Sequence, residues 1–421
     1  MFTIGDPIPS LVVRSGANPA YALDSVAGRH VVLTFIAGAR APGVQGFLEQ
    51  LYRQRGPFDD VTACCFLVSN DGQDEAARLI GDSYPGIRVL WDFDRSLARR
   101  FGVVQPVEGG NDRLHLVSFV LDPALRVQAI IPITDPAIHF TQITDAIAAL
   151  PAPAAMTDQW APVLMVPNVI EPELCRDYIA YAEAQGVEDS GYMKTDPATG
   201  QTMLVVDHSH KRRADCAIED GHLRAALQAR VMRRLVPAIE RAFQFRVTRM
   251  ERYLLACYDA ETGGYFRPHK DNTTLGTAHR RFAVTINLNA EDYDGGDLRF
   301  PQFGPRTYRA PTGGAIVFSC SLLHEATPIT RGKRYALLPF LYDEAAAQLR
   351  LENAQHLADP AMREAVVKSV LAQPGWFEPS VAVVKKKAGA VVKAAPVKAG
   401  RKPKAAAKAA PKAKAKRAAA K

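Results

Sequence analysis

His269 and Asp271 stand two residues apart in the stretch YFRPHKDN, residues 265–272, just after a glycine pair. On a strand, residues i and i+2 face the same way, so an imidazole and a carboxylate there could reach one ion. A second imidazole comes from His324, 55 residues downstream in FSCSLLHEATPITRGKRYAL, where it follows a strand-like run. Two imidazoles and one carboxylate on one face suit Fe(II) and leave open positions opposite. A 2-oxo acid could fill two of these with its ketone and one carboxylate, and its far carboxylate would then need a cation. Arg334, ten residues after His324 and on the next strand, offers a planar fork that matches a carboxylate with two hydrogen bonds. Fe(II), Asp271, 2-oxoglutarate and Arg334 together carry no net charge, which makes a dry pocket tolerable.

Each residue alone has a plainer reading. His-x-Asp is common in solvated turns, His324 could be a satisfied histidine near a strand end, and Arg334 a surface charge. Their order and joint spacing favour the metal site.

The elements that must position these residues fall in the second part of the chain. Short strand-like runs (TRMERYLLACY, RFAVTINLN, GDLRF, GGAIVFS, RYALLPFLY) alternate with turn residues across residues 245–345, the pattern of a β-sandwich or jelly roll. Two helices precede them: one closes at Gly186, and the other carries Leu223, Leu227, Val231, Leu235, Ile239 and Phe243 as a single stripe. Residues 1–149 alternate strand and helix patterns, as in an α/β layer fold. A Pro/Ala-rich linker at 150–159 separates this first domain from the second, at 160–380. A Lys/Ala/Pro-rich tail, 385–421, cannot bury a core and is expected to be disordered.

The segment ACYDAETGGYFRPHKDN resembles the iron- and 2-oxoglutarate-dependent prolyl hydroxylases, and YDGGDLRF and GGAIVFSCSLLHEATPITRGKRYAL are similar to the same family in the same order. The likeness spans about residues 160–345. It implies a double-stranded β-helix (jelly-roll) core with flanking helices and an Fe(II)- and 2-oxoglutarate-dependent dioxygenase that releases succinate and CO2. It implies that His269, Asp271 and His324 bind iron. Arg334 stands where the family holds the distal carboxylate of 2-oxoglutarate with a basic residue, and Tyr258 where a tyrosine hydrogen-bonds the cosubstrate. Ascorbate is a candidate cofactor by the same likeness, and the substrate expected is a protein or peptide side chain, proline first. Thr285 and Asn287 share a strand face and are weaker candidates for the pocket wall. His208 and His210 read as part of a loop near the pocket mouth rather than a second metal site, Gly295 and Gly296 as a turn, and His279, beside Arg280 and Arg281, as solvated.

Residues 1–149 resemble the peroxiredoxin branch of the thioredoxin fold through IGDPIPSLVV, YALDSVAGRHVVLTFIAG, VSNDG, VLWDFDRSLARRFGV and SFVLDP. Peroxidase chemistry needs a thiolate of low pKa at the start of the helix after the first core strand. That position falls near Val44, with the helper threonine near Ala41, and no cysteine occurs between 1 and 63. Cys64 and Cys65 lie in an apolar strand and read as inert core. The expected role is therefore contact or homodimerisation, not peroxide reduction.

Scattered cysteines without Cys-x-x-Cys spacing, no run apolar enough to span a membrane and no signal-peptide pattern point to reduced thiols and a cytoplasmic home. Two rivals to protein hydroxylation remain at this stage: nucleobase oxidation by the same chemistry, and a nucleic-acid-associated scaffold without activity. The net charge of +8 belongs to the tail, which holds 14 of the 52 Lys and Arg and none of the 44 acids, leaving −6 on residues 1–384. With no aromatic residue among its lysines, the tail should bind nucleic acid through phosphates alone, with affinity falling steeply as salt rises. Deleting 385–421 should abolish this binding in titrations at several salt concentrations; binding retained by the truncated chain would place the contact on the folded domains.

Overall fold

The computed structural model describes residues 2–16, 18–105, 112–156 and 159–372; the basic tail and two linker residues lie outside the described residues. The first sheet runs in the order Tyr21–Ala22, Val12–Ser15, Ile87–Trp91, Ala63–Ser69, His30–Ala37, Val117–Leu121, Val127–Pro132. Its three central strands are parallel. They are apolar along almost their whole length because both faces are covered. One face packs the helices Gln45–Gln54 and Pro136–Ala148 through Phe47, Leu51, Phe140 and Ile143. The other gathers Leu23, Val26, Phe35, Phe66 and Phe101. Cys64 and Cys65, adjacent on one strand, point into these two opposite cores.

The second domain is built on two main antiparallel sheets, with two small two-stranded ones beside them. The larger runs Leu164–Val166, Ala315–Ser319, Phe282–Asn287, Lys333–Leu337, Leu254–Asp259, Ala214–Ala217, Glu188–Asp189. The smaller runs Lys211–Arg212, Tyr265–His269, His324–Ala326, Leu298–Arg299, Thr307–Tyr308. The helix Pro172–Gln185 ends at Gly186, whose φ of 83° is open to glycine. The expected second helix is interrupted: Gly221–Arg230 and Val236–Phe243 are joined by a π-helical turn, Val231–Leu235. Pro237 explains the break, since it has no N–H to give the preceding turn. The stripe Leu227, Val231, Leu235 and Ile239 still packs on the larger sheet with Leu255, Val284 and Leu337.

Two expectations are corrected. The strand Tyr265–His269 ends at His269, so Asp271 stands in the turn beyond it rather than on the strand. A backbone hydrogen bond from Asp271 N to Cys320 O, at 3.0 Å, holds that turn instead. His279 is not solvated: it is 2% exposed, with Nε2 3.2 Å from Glu251. Arg280 and Arg350 reach the same carboxylate at 2.7 and 2.6 Å. The helix Glu344–Asn353, which follows the last strand, thereby ties Arg350 into the core of the second domain. Burial alone would raise the Glu251 carboxyl, yet Arg350, His279 and Arg280 hold it well below the usual carboxylate range.

A carboxylate depressed in this way stabilises the fold above its ordinary pKa, and that contribution fades as pH falls through the folded value. Glu251→Gln should cost about 3 kcal/mol at neutral pH, because two guanidinium groups lose their buried counter-charge. Denaturant midpoints should show this loss, and the gap between variant and parent should narrow on acidification; equal stability at neutral pH would contradict the role.

Candidate active site

Two cross-strand pairs face one cavity. On the smaller sheet His269 pairs directly with His324, and on the larger sheet Tyr258 pairs directly with Arg334. Directly opposed residues of an antiparallel pair bring their side chains together on the same face. The imidazole centroids are 4.3 Å apart, and the Arg334 guanidinium lies 5.2 Å from the Tyr258 ring centre.

His269, Asp271 and His324 form one group with ligand atoms all within 4.8 Å of one another. The Asp271 oxygens lie 3.7 Å from His269 Nε2 and 3.4 Å from His324 Nε2. Each imidazole uses its other nitrogen on the backbone: His269 Nδ1 is 2.8 Å from Arg267 O, and His324 Nδ1 is 3.0 Å from Leu322 O. A carbonyl there fixes the tautomer with Nε2 unprotonated, ready for a metal. Burial, then neighbouring His324, pushes His269 well below the usual imidazole range and keeps it neutral. Phe266 stacks on His269 and Phe318 meets His324 edge-on, so apolar rings fix both ligand orientations. The donor set, two neutral imidazoles and a carboxylate, fits a divalent cation of the Fe(II) type.

Arg334 is 2% exposed and its Nε has no partner among the described residues. Its Nη1 donates to the Gly296 carbonyl. Gly295 and Gly296 turn at φ of 70° and 65°, and a Cβ on Gly296 would sit 3.4 Å from Arg334 Cδ. The glycine turn read from the sequence thus also seats the arginine. An unpaired buried guanidinium donor facing a cavity is a site for an anion.

The cavity has a volume of about 1200 Å³ and is lined by His269, Asp271, His324, Arg334, Tyr258 and Thr285 among others. Asn287, expected beside Thr285, turns its amide to Ala310 O at 2.7 Å and does not line the cavity. His210 lines the wall against Tyr192 and Phe266, while His208 is exposed and pairs with Asp189 at 2.7 Å. Among the described residues neither histidine enters a metal-binding group.

Sequence reasoning missed an inner layer of charge. Lys211, 2% exposed, donates to Ser190 Oγ at 2.7 Å; burial and nearby Arg213 push its pKa down to about 6. Burial works to raise Asp215, but Arg213 holds it down at about 2. The signal was present in KRRAD, residues 211–215, four charges in five residues, although Lys211 and Asp215 stand on strands of different sheets, Lys211–Arg212 and Ala214–Ala217, and only the fold brings both to the cavity wall.

In the first domain, Val44 sits at the cap of the helix Gln45–Gln54, where the resemblance puts a reactive thiol. All six cysteines are buried, and burial pushes the Cys64 thiol up to about 12 and raises Cys65 as well.

Residues 253–342 match the 2OG-Fe(II) oxygenase superfamily, and residues 4–130 match the AhpC/TSA family. The chain is similar to a PKHD-type hydroxylase of Synechococcus sp. (strain JA-2-3B'a(2-13)), 29% identical over 155 residues that cover 30% of this chain and 68% of the relative. A Pseudomonas putida prolyl-4-hydroxylase structure is 20% identical, covering 44% of this chain and 93% of its own, at a TM-score of 0.34. A peroxidoxin structure from Mycobacterium tuberculosis is 20% identical, covering 36% of this chain and all of its own, at a TM-score of 0.30.

With valine at the helix cap and both strand thiols buried and protonated at neutral pH, purified protein should not reduce peroxide with a dithiol or thioredoxin. Turnover that vanishes in Cys64→Ser or Cys65→Ser would contradict this.

Proposed function

We propose, from the premise that the second domain is a 2OG-Fe(II) oxygenase, that the chain hydroxylates a protein side chain, with proline as the target residue. The observation that carries this is the facing of the two cross-strand pairs: His269 and His324 with Asp271 on one side, Arg334 with Tyr258 on the other. In this reading His269, Asp271 and His324 hold Fe(II), and Arg334 takes the distal carboxylate of 2-oxoglutarate with Tyr258 beside it. The bound iron and 2-oxoglutarate supply the oxidation, in which one atom of O2 enters a substrate C–H bond and the other ends in succinate as CO2 leaves. Ascorbate is the proposed reductant that keeps the iron ferrous.

The chain's own residues do the rest. The backbone carbonyls of Arg267 and Leu322 hold both imidazoles in the ligating tautomer. Phe266 and Phe318 pack apolar rings against them, and Tyr258 packs against Arg334. A protein substrate is favoured over a free small molecule by the cavity, which at about 1200 Å³ exceeds the ~300–1,000 Å³ usual for small ligands. Proline rests on the resemblance of residues 256–272 and 293–300 to prolyl hydroxylases, and hydroxylation on the hydroxylase relative. Mass spectrometry of cellular proteins with and without the enzyme should find prolines heavier by one oxygen atom; loss of methyl groups from nucleobases instead would favour the nucleobase rival.

Two variants test the roles. His269→Ala and Asp271→Ala should each abolish Fe(II)-dependent conversion of 2-oxoglutarate to succinate while leaving the fold intact, and full turnover in either contradicts the ligand assignment. Arg334→Ala removes a charged hydrogen-bond partner worth roughly 1.5–3 kcal/mol. The 2-oxoglutarate requirement should then rise about tenfold or more, and an unchanged requirement means another cation holds that carboxylate.

A further inference from the structure

The first domain reaches the metal-binding segment at two places. Lys270, the residue between His269 and Asp271, donates its ammonium to Asp24, in the 3-10 helix Leu23–Val26 of the first domain. Ser10 Oγ donates to the same carboxylate oxygen and lies 3.5 Å from Lys270 Nζ. Asp24 is 6% exposed, so the pair is shielded from water. Leu323, the residue before His324, is 1% exposed and belongs to the first domain's own core, with Leu23 and Val26. The seam is tight: a Cβ on Gly28 would lie 2.5 Å from Pro301. Ser10, Ala20, Tyr21, Asp24 and Ser25 of the first domain line the same cavity as His269 and His324.

We propose that the first domain is a clamp on the iron-binding segment, with Asp24 a positioning residue that keeps the Lys270 ammonium off Asp271. The inference rests on the oxygenase reading above. Lys270 carries a point charge on a flexible four-carbon stem. Without Asp24, the adjacent Asp271 carboxylate becomes a ready partner for that ammonium in a shielded setting, where unlike charges attract far more than in water. A cation paired with Asp271 competes directly with the metal for its oxygens. The domain that has lost the thiol of a peroxidase is kept because it presets the iron site and walls its cavity.

The test is Mn(II) affinity of the full chain, measured by calorimetry without 2-oxoglutarate or substrate, in Asp24→Asn, Lys270→Met and the double variant. Asp24→Asn should bind Mn(II) about tenfold more weakly, Lys270→Met within about twofold of the parent, and the double variant should recover the parent affinity. That recovery is what a merely structural role does not produce, since a structural role lowers the melting temperature without moving metal affinity. Parent-like affinity in folded Asp24→Asn, or an equal loss in the single and double variants, overturns the clamp. Should Asp24→Asn fail to fold, the double variant decides: parent-like affinity supports the clamp, and a tenfold loss overturns it. A parent chain that binds no Mn(II), or binds it equally in His269→Ala, sinks the oxygenase reading itself, a result distinct from failure of the clamp alone.

Discussion

The site depends on the pairing of antiparallel strands. A metal that needs three protein donors cannot be held by neighbours in sequence alone, because one turn offers one or two side chains on a face. Here the register that places His269 opposite His324 supplies both imidazoles at once. The register that places Tyr258 opposite Arg334 sets a guanidinium across the cavity. A slip of one residue in either pairing would turn these side chains to the opposite face and destroy the site. The larger sheet is held by the helical stripe packed behind it, so core burial in the second domain is what keeps the chemistry in place.

Charge inside the second domain is arranged in closed sets. Glu251 is balanced by Arg280 and Arg350. Asp215 is balanced by Arg213 at the cavity wall, with a side-chain contact of 2.6 Å. No described carboxylate pairs with Arg334, and its Nε has no partner among the described residues. Buried charge without a partner is costly. A guanidinium with an open donor and no described carboxylate beside it is therefore a natural seat for an incoming carboxylate, which would offset that cost.

Much of this was legible from residue types and spacing. The strand HVVLTFIAG was readable because a continuous apolar run identifies a doubly covered strand, and RFAVTINLN because it is a short strand-like run between turn residues. His269, Asp271, His324 and Arg334 were readable because four polar residues recur at strand boundaries in an order that a single cavity explains. His279 was misread because a histidine beside two arginines looks solvated; its buried partner, Glu251, lies 28 residues earlier, and only the fold reveals it. Lys211 and Asp24 were missed for the same reason: their partners are distant in sequence, and burial, not composition, makes them matter. The π-helical turn before Pro237 was hidden because a hydrophobic stripe keeps its spacing through a local change of helical winding.

One cavity should bind 2-oxoglutarate between a metal held by His269, Asp271 and His324 and the guanidinium of Arg334. Calorimetric titration of 2-oxoglutarate into the metal-free chain and into the Mn(II)-loaded chain tests it most directly. The expected result is one 2-oxoglutarate per chain with the metal present and at least tenfold weaker binding without it, because the metal chelates one end of the molecule and Arg334 the other. Equal binding with and without the metal would contradict the account, since the cosubstrate would then sit away from the three ligands.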